Sequence, residues 1–269
     1  MRRGILKLLA GLVLLLPLAT TAAAENTSPV LARIAETGTL RVGMSAGQPP
    51  YNVRSREGKI IGMDVDLAGL LARALSVDLE IVDMSFNKLL PALEKGKVDL
   101  VISGMSATLQ RNMRTAFVGP YHLTGKSILA RSETIAAMQS EEMDKAGVKV
   151  VALKGSTSED FVEKVAPTAK LTATKDYDRA IDLLLSDKAD AFVADASIIK
   201  LSMLRWPDAG LVAAKQPLTI EPISIAVPAG DPLLLNLVEN YLQALRGAGA
   251  LEKLDEKWFK NGAWLVQLP

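Results

Sequence analysis

The stretch Ser103-Gly104-Met105-Ser106-Ala107-Thr108-Leu109-Gln110-Arg111 is the part of this chain best equipped to grip a carboxylate. It follows the apolar run Val98-Asp99-Leu100-Val101-Ile102, which reads as a strand. Small hydroxyls and a glycine let backbone N–H groups approach a ligand. The guanidinium of Arg111 can then hold a carboxylate through two parallel hydrogen bonds. On spacing alone Arg111 also reads as a solvated helix-face charge, and the strand end before it raises the ligand reading. A second loop, Lys154-Gly155-Ser156-Thr157-Ser158-Glu159-Asp160, follows another strand and opens a helix. Ser158 is its expected N-cap, with Glu159 and Asp160 in the first turn, and the free N–H groups there can cap, bind an anion, or do both. Asp195 closes a third strand. It can meet a cation across a cleft or cap the helix that follows. Phe86 is expected in the core, with a cleft wall as the alternative.

Other chemistries are excluded by composition. The 269 residues contain no cysteine and one histidine, His122. Disulfides, thiolate metal sites and thiol nucleophiles are therefore absent, and a multi-His metal site or a Ser-His triad has nothing to be built from. The Walker pattern Gly-x4-Gly-Lys-Ser/Thr is missing, and Asp64 and Asp66 lack the twelve-residue loop of a calcium site. They read instead as a helix N-terminal charge and a surface residue. His122 reads as structural. A formal net charge of +1 gives no electrostatic case for nucleic acid. No cofactor is expected.

Positioning these residues requires alternating elements. Thr39–Met44, Leu79–Val82 and Val98–Ile102 read as strands, with helical spacing over 63–75 and 86–94 between them. After Ser127 the rhythm restarts, with strands at 148–152, 171–173, 190–193 and 223–227. Helices are expected at 158–165, 178–185, 196–205, 233–246 and 251–259. This is an α/β pattern in two similar units, with no linker rich in Gly, Pro or Ser between them. Ligands in such folds favour the crevice at strand C-terminal ends.

Ahead of these units, Met1–Ala24 runs from Arg2, Arg3 and Lys7 through the apolar Leu8–Ala19 to Ala22-Ala23-Ala24. That is the three-part pattern of a secretory signal peptide, with cleavage expected after Ala24. The apolar run is too short for a spanning helix, which needs ~20 residues. Arg2-Arg3 gives a faint twin-arginine pattern, although the short n-region favours the general secretory route. Cleavage would shift the formal charge from +1 to −2. The expected location is the periplasm.

The ordered motifs resemble the polar-amino-acid-binding proteins of bacterial ABC transporters, solute-binding protein family three. The likeness runs through Gly38-Thr39-Leu40-Arg41-Val42-Gly43, Gln48-Pro49-Pro50-Tyr51, Gly62 to Leu67, Leu90 to Asp99, Ser103 to Arg111 and Phe117 to Tyr121. It continues in Gly155-Ser156-Thr157, Lys188-Ala189-Asp190-Ala191, Gly249 to Leu254 and Glu256-Lys257-Trp258-Phe259. The resemblance implies a type II periplasmic-binding fold with two lobes, each a mainly parallel sheet flanked by helices, joined by two crossing strands. Residues 25–124 and 223–269 would form lobe 1, and 125–222 lobe 2. It implies that Arg111 takes the α-carboxylate with Ser106 and the N–H of Thr157. Asp195 would take the α-ammonium with Gly104. Gln48 stands where relatives often carry an aromatic opposite Phe86, and Ser45 where binders of cationic amino acids carry an acid. The implied ligand is thus a polar or neutral amino acid, delivered by a monomer to an ABC permease. Trp258 and Phe259 would anchor lobe 1. The alternatives are a cyclohexadienyl or arogenate dehydratase-like enzyme, with Glu221 as the one candidate acid, and a ligand-presenting partner of a membrane sensor.

Overall fold

The computed structural model describes residues 28–138, 140–144 and 147–269. The signal-peptide reading of residues 1–24 lies outside them. Helix α1 (Pro29–Thr37) is capped by Ser28, whose Oγ accepts from the N–H of Leu31, and it ends at Gly38 in the left-handed region. Strand β1 (Thr39–Met44) follows. A small antiparallel sheet comes next, made of β2 (Gly47–Gln48), β3 (Asn52–Arg54) and β4 (Ile60–Ile61). Helix α2 (Met63–Ala74) buries Met63, Leu67 and Leu71 against the sheet and returns to β5 (Asp78–Asp83). Each of those apolar side chains contributes roughly 1.5–3 kcal/mol by leaving water. A 3₁₀ turn, Phe86–Lys88, leads into α3 (Leu89–Glu94), then β6 (Leu100–Val101), the short α4 (Leu109–Asn112) and β7 (Thr115–Thr124).

The chain crosses at Gly125 into a second unit. This comprises β8 (Lys126–Ala130), the short α5 (Glu133–Ala136) and α6 (Ser140–Met143), β9 (Lys149–Leu153), α7 (Thr157–Val165) and β10 (Lys170–Thr174). It continues with α8 (Tyr177–Leu185), β11 (Ala191–Asp195), α9 (Ala196–Arg205) and β12 (Val212–Ala213). It crosses back into β13 (Glu221–Pro228), and α10 (Pro232–Gly247) and α11 (Ala250–Asp255) finish the first unit. The two large sheets have the orders β5-β1-β6-β13-β7 and β10-β9-β11-β8-β12. In each, a parallel trio is joined on one side by a strand running against it, which pairs antiparallel in turn with an outer strand. The result is two α/β lobes, each with its own sheet. β7 and β13 pair with each other beside the crossing points.

The two crossing segments run very close together. A Cβ on Gly125 would lie 2.0 Å from the carbonyl oxygen of Thr219, so only glycine fits between them. Strands β7 and β8 are not apparent in the sequence, because Gly119-Pro120 interrupts the apolar pattern and reads as a turn. The expected N-cap Ser158 is corrected to Ser156, whose Oγ accepts from the N–H groups of Ser158 and Glu159. Trp258 is buried and tilted against Trp264 at 5.2 Å, while half-buried Phe259 stacks on His122 at 4.1 Å. Among the described residues, no helix is long and apolar enough to cross a membrane.

Candidate functional site

The loops at the C-terminal ends of β6, β9 and β11 face one another across the gap between lobes, as do the loops after β1 and β5. Arg111 spans that gap. Its guanidinium donates to the carbonyl of Ser106 at 2.8 Å in lobe 1 and to that of Gly155 at 3.0 Å in lobe 2. It also lies 5.7 Å from the centre of the Phe86 ring. Burial lowers the pKa of Arg111, opposed by Asp160, Glu221 and Asp195. Among the described residues it makes no ion pair, so its charge is met only by carbonyls and more distant acids. Phe86 is 5% exposed, and serves as core and as the surface beneath Arg111 at once.

A line of polar groups leads away from Arg111. Ser106 Oγ is 3.5 Å from Thr157 Oγ1, and Thr157 Oγ1 donates to Glu221 at 3.2 Å. Glu221 in turn is 3.6 Å from Lys126 Nζ, which donates to Asp195 Oδ1 at 2.6 Å. The side chains of Lys126 and Asp195 are 1% and 7% exposed. Asp195 stands at the N-cap position of α9 but makes no capping bond, so of the two roles open in sequence its carboxylate takes the cation. Sequence reading does not single out Lys126. A lysine in front of Ser127-Ile128-Leu129-Ala130 looks like an exposed strand end, and only the unrecognised β8 would have marked it as internal.

The opposite wall belongs to lobe 1. Gln48 is buried, and its Oε1 accepts from Ser45 Oγ at 2.9 Å and Ser103 Oγ at 3.0 Å. Tyr51, fully buried, reaches Ser197 of lobe 2 at 3.4 Å. Gly104 donates its N–H to Asp64 Oδ2 at 2.9 Å, and Asp64 also accepts from Asn52 and Tyr121, both at 2.7 Å. Ser106, Thr157 and Arg111 thus meet across the lobes beside Phe86, and Asp195 joins them through Glu221 and Lys126, of which only Lys126 is new from the structure. The bonds of Ser45, Gln48 and Gly104 are made within lobe 1.

Known proteins share this architecture. The model of the bacterial extracellular solute-binding proteins, family 3, matches residues 40–261. The chain belongs to that family. Among its relatives, ABC transporter arginine-binding protein 1 of Escherichia coli (strain K12) is 25% identical over 226 residues, 82% of this chain and 90% of the relative. Cyclohexadienyl dehydratase of Pseudomonas aeruginosa is 28% identical over 246 residues, 91% of each chain. The solved structure of a mutant form of ArgBP from T. maritima superposes with a TM-score of 0.81 at 34% identity. That match covers 86% of this chain and all of the other.

Within this family 3 protein, Asp64 departs from the simple helix-charge expectation. It sits in the first turn of α2 but is fully buried. Burial pushes its pKa up to about 6, against the three donors that pull it down. The folded pKa lies above the ordinary 3.8, so the protonated form is favoured on folding. Stability from this group is therefore complete below pH ~4 and lost as pH rises through about 6. The loss is about 3 kcal/mol at 1.36 kcal/mol per unit. Urea denaturation of the wild type and Asp64→Asn at pH 4, 5, 6 and 7 should show the stability difference falling by that order. A flat difference would remove Asp64 as its source.

Proposed function

We propose that this family 3 protein is an exported solute receptor. It holds one small carboxylate solute, of amino-acid size, between its lobes and hands it to an ABC permease. The supporting observation is Arg111: a half-buried guanidinium with no ion pair among the described residues, bonded to carbonyls of both lobes. A solute carboxylate entering the cleft would supply the missing charge, and the same side chain would link solute binding to lobe closure. The polar groups of Ser106 and Thr157 lie within reach of such a carboxylate. The uncharged Ser45 and Gln48 favour a polar or neutral solute body over a cationic one. The protein acts as a monomer in the periplasm, and no covalent step is needed.

A thermal-shift screen of denaturant-washed, refolded protein against amino acids and simple organic acids tests this reading. A solute at ~100 times its dissociation constant adds about 2.7 kcal/mol of stability, enough to raise the melting temperature by a few degrees. A response confined to carboxylates is expected. Silence from every carboxylate would remove the receptor reading, and turnover of prephenate or arogenate by the pure protein would replace it with an enzyme.

A further inference from the structure

We propose that Lys126 is the specificity-determining residue of the cleft: its buried ammonium occupies Asp195, so the site prefers carboxylate solutes with a 2-oxo or 2-hydroxy group over the matching 2-amino acids. This rests on the receptor reading above and sharpens its substrate class.

Lys126 is not a surface side chain that has swung inward. It is the first residue of β8 and stands directly opposite Asp195 in the antiparallel pairing of β8 with β11. Its backbone is fixed as well. The N–H of Lys126 donates to Thr219 Oγ1 at 2.9 Å, and its carbonyl accepts from Leu218 at 2.7 Å. Next to it, the Gly125 carbonyl accepts from the N–H of Ala196 at 2.8 Å. The ammonium is therefore delivered to Asp195 by sheet register, and cannot leave without breaking a buried ion pair.

The same place in the cleft is where a solute's α-ammonium would go if it followed Lys126, since Asp195 accepts from no hydroxyl among the described residues whereas Glu221 accepts from two. Such an ammonium would compete with Nζ, already 2.6 Å from Oδ1. It would also place two positive charges a few ångströms apart in a space that water has left. The second nearby acid, Glu221, is engaged from both sides, by Thr157 Oγ1 and Thr219 Oγ1, each at 3.2 Å. A solute oxygen faces neither problem. Asp195 accepts one of the three ammonium hydrogens of Lys126, and Glu221 lies 3.6 Å away, too far for a hydrogen bond, so a hydrogen is left to be donated to a ketone or hydroxyl oxygen. The line from Arg111 through Ser106, Thr157 and Glu221 to Lys126 then reads as a track for one carboxylate and one adjacent oxygen.

The test is a set of matched titrations by calorimetry on the refolded protein. The probes are phenylalanine, phenylpyruvate and 3-phenyllactate, then glutamate, 2-oxoglutarate and 2-hydroxyglutarate, and leucine with its 2-oxo and 2-hydroxy analogues. In at least one set the oxo or hydroxy acid should bind tenfold or more tightly than the amino acid. Lys126→Met should reverse that preference by at least tenfold, whereas Lys126→Arg, which keeps the charge, should retain it. Lys126→Arg also guards against a methionine variant that fails to fold. Amino acids binding more tightly to the wild type would overturn the assignment while leaving the receptor reading intact. So would a preference left unchanged in Lys126→Met. Failure of all nine probes and of every other carboxylate would overturn both.

Discussion

Replacing Arg111 by alanine should weaken solute binding by roughly 10²–10⁴-fold, or about 3–5 kcal/mol. The loss has two sources. The solute carboxylate would be left in a desolvated cleft without its cation, and the closed form would lose the bonds from Arg111 to the Ser106 and Gly155 carbonyls. Arg111→Lys separates the two. It keeps a charge but not the planar fork, so an intermediate loss is expected. Calorimetry with a solute found in the screen measures both variants, with the solute-free melting temperature as control for folding. Near-normal affinity in Arg111→Ala would take this residue out of the site.

Gly155→Ala should impair closure while leaving each lobe intact. Gly155 has φ +74°, and a Cβ there would sit 2.7 Å from Cβ of Asn87 on the facing lobe. An alanine must therefore strain its own backbone, by about 1 kcal/mol, and also hold the lobes apart. The lobes meet there at the carbonyl that Arg111 grips, so the displacement falls on the solute. Affinity should drop tenfold or more, with a much smaller change in solute-free melting temperature. Small-angle scattering should show Gly155→Ala keeping a larger radius of gyration than the wild type in saturating solute. Equal radii and equal affinity would show that the two lobes do not close on that line.

How far the sequence reached differs between framework and site. The parallel strands and the helices between them carry strong apolar periodicity, so Thr39–Met44, Ala196–Arg205 and the helix beginning at Met63 were legible almost to the residue. The crossing strands were not, because Gly119-Pro120 breaks the pattern in β7 and β8 begins with a lysine. Candidate site residues next to legible strand ends, such as Ser106, Arg111 and Asp195, could be named from position. Lys126 and the burial of Asp64 could not. Lysine and aspartate are usually exposed, and only the three-dimensional pairing brings Asp195 opposite Lys126, or Asn52 and Tyr121 onto Asp64. The N-cap correction from Ser158 to Ser156 is a matter of two residues within one loop of hydroxyls, any of which can cap.

The position of β13 also sets the order in which the molecule can be completed during synthesis. Lobe 2 is a single run from Lys126 to Ala213, whereas the central sheet of lobe 1 needs β13 between β6 and β7. A chain stopped before Glu221 would thus carry a finished second sheet beside a first sheet split along its middle, with both β6 and β7 exposing an unpaired edge. Ser28 would still lack Asp231, its hydrogen-bond partner 203 positions downstream. Closing loops of that span is slow and is deferred until the last fifth of the chain emerges. The lobe whose strands come first in the sequence is therefore the last to become complete.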